Sequence, residues 1–172
     1  MSLMQSTRPL DPVRWLGVPA LVCVLATIVF AIPIKVFGFQ LPQPVFAMVP
    51  AFAWAVIRPS VIAPFVLMLL GLFLDLFWGG PLGLWGVALL TSYTVVLASR
   101  SIMTGQSRPM RQVWFASATA LTMLTGFLVC TIVSLATPNL LSVFWQFLAT
   151  SVLYPFAHRL IERFEDADVR FR

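Results

Sequence analysis

The chain has 172 residues, 60% of them hydrophobic and 10% charged, against roughly 25% charged in an average soluble domain. A soluble protein this short has too little interior to hide so much apolar surface, which excludes a soluble domain and leaves the surplus facing lipid. The net charge of +5 would suggest nucleic acid in a soluble protein. Here the arginines sit at the ends of apolar runs, without a basic patch interleaved with exposed aromatics, so membrane topology accounts for the charge and nucleic-acid binding is set aside.

Residues 1–14 read as a short polar cytoplasmic leader, and residues 15–161 as an all-α integral membrane domain, a bundle of six transmembrane helices. The first span covers 15–34 and is too long for the apolar region of a signal peptide. It is bounded by Lys35 and the turn-prone Phe37-Gly38-Phe39-Gln40. The second, 41–57, carries Pro42, Pro44 and Pro50 and is expected to be kinked or tilted. Ala47, Ala51 and Ala55 fall on one helical face, which either lets another helix approach closely or is an incidental run of alanines in an apolar segment. The third span, 61–78, carries Asp75, and the fourth runs over 82–98. A basic polar loop from Arg100 to Arg111 precedes the fifth span, 113–135. Thr137-Pro138-Asn139 makes a turn into the sixth, which passes Tyr154 and Pro155 before a charged tail, 162–172. Each span is near the ~20 residues that cross ~30 Å of hydrocarbon.

Charge fixes the expected orientation. With both termini cytoplasmic, Arg8, Arg14, Arg58, Arg100, Arg108, Arg111, Arg159, Arg163, Arg170 and Arg172 face the cytoplasm and only Lys35 lies outside. That is a strong positive-inside bias. In the fifth span Thr122, Gly126, Cys130 and Ser134 form a small, weakly polar stripe suited to close helix packing, within the bundle or against a partner. Cys23 and Cys130 lie at different depths and are read as packed small hydrophobes rather than a disulfide. If the sixth helix continues, Phe156, Leu160, Ile161 and Phe164 share one face, giving an amphipathic extension or a solvated end.

The most informative stretch is Gly71-Leu72-Phe73-Leu74-Asp75-Leu76-Phe77-Trp78-Gly79-Gly80-Pro81-Leu82-Gly83. Asp75 is the ionisable residue deepest inside any span, and a charge at mid-bilayer costs at least ~2.5–3.5 kcal/mol. It sits near the outer end of its helix, where the negative pole of the dipole disfavours a carboxylate. The first expectation is an ion pair with Lys35 at the outer end of the first span; backbone N–H groups of the Gly79-Gly80 break are the alternative, and direct contact with a ligand or ion is a further one. Gly71, Asp75, Gly79 and Gly83 recur every four residues, a narrow low-volume face, and Gly79-Gly80-Pro81 predicts a helix stop, a tight turn and an immediate return helix. Catalysis finds little support. His158 is the one histidine, only Asp75 is available for an aspartyl dyad, and neither a metal-ligand cluster nor a nucleotide motif is present, so no enzyme activity, cofactor or metal is expected.

Arg58-Pro59, the pattern Gly71-x-x-x-Asp75-x-x-x-Gly79-Gly80-Pro81-Leu82-Gly83 and a following apolar span with Tyr93 resemble the bacterial rod-shape-determining MreD family, most sharply over residues 55–105. The resemblance implies a non-catalytic inner-membrane scaffold subunit of the cell-elongation complex. Its implied partners are MreC, with MreB, RodA and a class B penicillin-binding protein in the larger assembly, besides membrane lipids. It further implies a fold resembling the six-helix substrate-binding subunits of energy-coupling-factor transporters, and a vitamin-binding subunit of that kind is the alternative function. Those subunits usually carry Ala-x-x-x-Ala in the first helix; here Ala20, Ala26 and Ala31 do not fit that spacing, while Ala47-x-x-x-Ala51 lies in the second. The residues expected to matter for structure or partner binding are Gly71, Asp75, Gly79, Gly80, Pro81, Gly83 and Lys35.

Overall fold

The computed structural model describes residues 13–31, 35–36, 39–40, 42–57, 60–103, 105–134 and 138–169, with the backbone alone described at 13–14, 35–36, 39–40 and 163–169. The leader 1–12, the Phe37-Gly38 turn, Arg58-Pro59, Thr104, Thr137 and the end of the tail therefore lie outside the described residues, as do the side chains of Lys35 and Phe164.

A π-helical turn, Val13–Gly17, opens into α1, Val18–Val29. A two-residue antiparallel ladder follows, β1 (Lys35–Val36) against β2 (Phe39–Gln40), with Lys35 opposite Gln40. Then come α2 (Met48–Ile57), α3 (Ile62–Trp78), α4 (Leu84–Ala98), the single turn α5 (Arg100–Met103), α6 (Arg108–Ser134), α7 (Leu140–Ser151) and α8 (Tyr154–Val169). Two helical stretches, Arg108–Ser134 and Leu140–Glu162, are long and apolar enough to cross a membrane; Trp15–Val29, Met48–Ile57, Ile62–Trp78 and Leu84–Ala98 are shorter apolar helices.

The α3–α4 hairpin sets the long axis of the bundle, with its glycine turn at one end and Arg100 at the other. On α3 the buried residues Ala63, Leu67, Leu70, Gly71, Leu74 and Asp75 form one stripe at the helical repeat. It packs against the buried face of α4, Leu84, Gly86, Ala88, Leu89, Ser92, Tyr93 and Val96. α6 runs back along α4: Ser92 Oγ donates to the Ala118 carbonyl at 3.1 Å, and Gly126 faces Leu84. α7 and α8 return towards Arg108, whose carbonyl accepts from Tyr154 Oη at 3.0 Å. Pro155 lacks the N–H that would donate back to residue 151, and regular α-helix gives way to a turn at 152–153 between α7 and α8. α1 lies antiparallel to α2, with Trp15 beside Trp54 (ring centroids 6.5 Å) and Phe30 beside Phe46 (5.3 Å).

The second predicted span differs most from expectation. Regular helix begins only at Met48, so Pro42 and Pro44 precede it and Pro50 falls in its first turn, where a missing N–H costs little. Ten residues rise about 15 Å, half the thickness expected of a span. The lead-in 42–47 makes up the reach. Trp78 Nε1 donates to Gln43 Oε1 at 3.1 Å at the glycine-turn end, and Arg100 donates to the Ile57 carbonyl at 3.2 Å at the other. The segment therefore runs the length of the hairpin as part extended chain and part helix. It is also the most buried element, with Met48, Pro50, Ala51, Phe52, Ala53, Trp54 and Ala55 all inside. Ala47, Ala51 and Ala55 are buried, as is Ala53 off their stripe, and α2 is packed between α4 and α8.

Irregular backbone inside a bundle must find partners for its polar groups. The Val45 N–H donates to Thr150 Oγ1 at 3.0 Å, and Gln146 Nε2 donates to the Gln43 carbonyl at 3.2 Å. The first and sixth predicted spans differ in smaller ways: α1 ends at Val29 rather than at 34, and the last helix is divided into α7 and α8. The exterior is apolar. Leu21, Leu69, Leu76, Ile132 and Val152 are each more than 60% exposed, which in water would be a large aggregation-prone surface.

Candidate functional site

Asp75 lies in the last turn of α3, wholly buried. Its main chain and side chain do opposite jobs. The Asp75 carbonyl accepts from the Gly79 N–H, and from the Gly80 N–H at 3.0 Å, which closes α3. Gly79 takes φ 67°, the left-handed conformation that such a helix end requires and that a Cβ disfavours. The carboxylate then opens α4. Oδ2 accepts from the Gly83 N–H at 2.7 Å and Oδ1 from the Trp85 N–H at 2.9 Å. Gly83, at φ 91°, supplies no side-chain cap of its own. One residue thus ends one helix and caps the next.

This answers the dipole problem posed by the sequence. The negative end of α3 is unfavourable for a carboxylate, but the positive end of α4 is brought onto the same side chain, with two oriented N–H donors. Of the expected partners, backbone N–H groups are the kind observed. They come from Gly83 and Trp85, three to six residues beyond the expected Gly79-Gly80 pair, because Gly79 and Gly80 turn their N–H groups back to the Asp75 carbonyl. The side chain of Lys35 lies outside the described residues.

The glycines act for different reasons. A Cβ on Gly71 would overlap the Gly86 backbone, so Gly71 permits the close approach of α3 and α4. At Gly79 and Gly83 the space is open, and φ is what demands glycine. Gly80 has neither constraint. The Pro81 carbonyl accepts from the Leu84 N–H at 3.2 Å, so the return helix starts at Leu84, two residues later than expected. Of the expected residues, Gly71, Asp75, Gly79, Gly80, Pro81 and Gly83 are gathered in this hairpin. Sequence reasoning missed Gly86, Trp85 and Gln43. The Gly71–Gly86 contact had a signal, a second glycine at the mirror position of the hairpin; Gln43 had none.

Around the turn, Trp78 and Trp85 meet edge-to-face with centroids 5.0 Å apart, and the Trp78 indole is bonded to Gln43. Each Asp75 oxygen accepts one main-chain hydrogen bond within the hairpin, an arrangement suited to holding the geometry of the turn. Among the described residues no group of three or more His, Cys, Asp or Glu side chains could hold a metal ion. Cys23 and Cys130 are both free thiols. The fifth-span stripe divides: Thr122 and Gly126 are buried, Cys130 is half-buried and Ser134 is exposed.

Two clefts of about 370 Å³ each lie outside the hairpin. One, between α6 and α7, is lined by Ala120, Met123, Leu124, Phe127, Leu140, Val143, Phe144 and Phe147, and is apolar throughout. The other, at the far end, is lined by Val56, Ile57, Arg100, Met103, Gly105, Gln106 and Arg111. The described charged side chains other than Asp75 gather at that end: Arg108 pairs with Glu162 at 3.0 Å, and His158 Nε2 lies 3.1 Å from the same carboxylate. α8 continues through Val169, with Tyr154, Ala157 and Ile161 as its buried face. Phe156, expected on the apolar face, is exposed. Comparison of the chain with protein-family models, curated proteins and solved structures returns no match.

Proposed function

We propose that the chain is a non-catalytic, multi-pass scaffold subunit of the bacterial cytoplasmic membrane, of the MreD kind, that binds MreC and helps position peptidoglycan synthases in the cell-elongation complex. The observation that carries this reading is the closed state of the Asp75 motif. The stretch that resembles the family makes a rigid helical hairpin whose carboxylate is consumed by its own backbone. An intramembrane acid is by default a candidate for ion or substrate handling; one buried and doubly bonded to main-chain donors favours a structural role.

The run directions of the helices support six membrane passes with both termini on the arginine side. α1, α3 and α6 run from that end to the glycine turn, and α2, α4 and the α7–α8 pair run back. The cationic end then faces the cytoplasm under the positive-inside rule. The apolar α6–α7 cleft is a poor match for a vitamin, which needs a few placed polar groups, and so favours the scaffold over a transporter subunit.

Depletion combined with affinity purification tests the proposal. Rounded cells and recovery of the single-span shape protein MreC are expected. Vitamin auxotrophy with recovery of an ATPase module would instead install the transporter reading. Labelling of single cysteines at Gly105 from the cytoplasm and at Leu82 from outside is expected; the reverse pattern would overturn the orientation.

A further inference from the structure

The apolar faces of the bundle differ in height in a way that the scaffold role does not call for. α3 is bounded at both ends. The Ser60 hydroxyl accepts from the Ile62 N–H at 3.2 Å where the helix begins, and Gly79 closes it. Its outward residues Val61, Phe65, Leu69, Leu76 and Phe77 are exposed. At a rise of about 1.5 Å per residue, Val61 to Phe77 measures about 24 Å, and its partner α4, Leu84–Ala98, is shorter still. α6 is different. From Val113 to Val133 it is continuous helix without a charged residue, about 30 Å long, which is the thickness of a bilayer's hydrocarbon core. α4 packs against both α3 and α6, and each turns its own apolar face outward, with Leu128 and Ile132 exposed on α6.

The α3–α4 hairpin cannot make up the difference by sinking its ends into hydrocarbon. Residues 79–83 are outside regular helix, and Gly79, Gly80 and Leu82 are exposed; lipid-exposed irregular backbone is excluded from the hydrocarbon region. Trp78 and Trp85, in contact at this turn, are of the residue type that gathers at the bilayer interface. At the other end Arg58 and Arg100 bracket the hairpin in the sequence. Tilting a helix only shortens the height it spans, so tilt relieves a long segment and not a short one. A face this short needs a thinner bilayer beside it or a protein over it. The side chains favour lipid. Helix–helix contacts in membranes use small residues, and on α3 those residues, Ala63 and Gly71, point inward, while the outward face is built of valine, phenylalanine and leucine.

We propose that the outward face of α3 is a lipid-contact surface that selects short acyl chains and holds the bilayer about 6 Å thinner there than at α6. The proposal rests on the membrane reading above but not on any protein partner. A thinned collar on one side of the bundle would make that side the favoured approach for other short spans, because mismatch drives helix association.

The experiment uses full-length protein with Cys23→Ala and Cys130→Ala, carrying one fluorophore at Leu69→Cys on α3 or at Leu128→Cys on α6, both exposed positions. It is reconstituted in equal mixtures of phosphatidylcholines with fourteen-carbon and twenty-two-carbon monounsaturated chains, one or the other brominated, so that quenching reports which lipid touches the probe. At Leu69 the short-chain lipid is expected to quench about twofold more strongly than the long-chain lipid, a modest mismatch preference. At Leu128 the ratio is expected to be near one or reversed. Should the labelled variants fail to fold, unlabelled protein of the native sequence gives a second measurement. Its melting temperature is expected to be higher in the short-chain bilayer, because α6 can tilt to fit a thin bilayer while α3 cannot lengthen to fit a thick one. Equal ratios at the two probes, or greater stability in the long-chain bilayer, overturn the proposal. A Leu69 probe quenched by neither lipid while the Leu128 probe is quenched shows a protein over α3 and overturns the lipid assignment. Protein that stays monodisperse without detergent, with neither probe quenched, would instead refute the membrane reading itself.

Discussion

Replacing Asp75 by Asn separates the two ways in which a buried acid can be held near a helix end. Asparagine keeps the shape and one acceptor oxygen, but sets an NH2 against either the Gly83 or the Trp85 N–H. One hydrogen bond is lost and two donors face each other inside a site with no exposure. An unsatisfied buried donor costs about 1–3 kcal/mol, and removing the charge from the start of α4 adds about 0.3–1 kcal/mol or more. The expected loss is about 2–4 kcal/mol, a fall in Tm on the order of 10 °C for a chain of this size. Lys35→Gln, by contrast, is expected to change stability by no more than about 0.5 kcal/mol. Tryptophan fluorescence of detergent-solubilised protein during heating is a suitable assay, because Trp78 and Trp85 sit in contact on this hairpin. The exchange Asp75→Lys with Lys35→Asp is decisive: a lysine offers only donors to the two N–H groups, so no rescue is expected. If Lys35→Gln is as damaging as Asp75→Asn and the exchange restores stability, an ion pair holds the acid and the capping argument is wrong.

Three further outcomes can be measured by the same melts. Alanine at the hairpin glycines should give a graded series: Gly71→Ala forces α3 off the Gly86 backbone and costs about 1–3 kcal/mol, Gly79→Ala and Gly83→Ala cost about 1–2 kcal/mol each through left-handed strain, and Gly80→Ala changes stability by less than about 0.5 kcal/mol. Thr150→Val leaves the Val45 N–H without its acceptor and should cost about 1–3 kcal/mol, while Thr150→Ser restores most of it. Asn139 caps α7 by accepting from the Leu141 N–H at 3.0 Å, so Asn139→Ala should lower stability by about 0.5–2 kcal/mol and speed amide exchange in the first turn of α7.

Composition and local breakers made the helical architecture and the hairpin legible. Gly79-Gly80-Pro81 predicts a stop and return because those residues act through their own backbone, with no need to know what lies across the bundle. The carboxylate's partner was harder to read. Gly79 and Gly80 are the nearest donors in sequence, but closing α3 spends them on the Asp75 carbonyl, and the oxygens reach past them to the first turn of α4. The prolines of the second segment signalled an irregular element, but not that regular helix would begin only at Met48. Hydropathy counts Leu41 to Phe46 as span-like, whereas Pro42 and Pro44 deny helical hydrogen bonding there, and only the tertiary partners at Thr150 and Gln146 explain why that stretch can be both apolar and irregular.

Those two partners also explain an oddity of α7. Its exposed residues are bulky and apolar, among them Leu140, Leu141, Phe144, Trp145 and Leu148, as befits a helix in contact with lipid. Yet it carries Gln146 and Thr150 one turn apart, where lipid would penalise both. On the inward face they do what a neighbouring strand does in a sheet, supplying acceptor and donor to the main chain of residues 43–45. Thr150 is itself satisfied, since its hydroxyl donates to the Gln146 carbonyl at 2.7 Å, leaving the oxygen's lone pairs for the Val45 N–H. The bundle can therefore afford a ten-residue helix at its centre because α7 completes the hydrogen bonding that the missing helical turns would have made. Asp75 solves the same problem at the α3–α4 turn: in both places a side chain on an intact helix satisfies main-chain groups where the next helix has not yet begun.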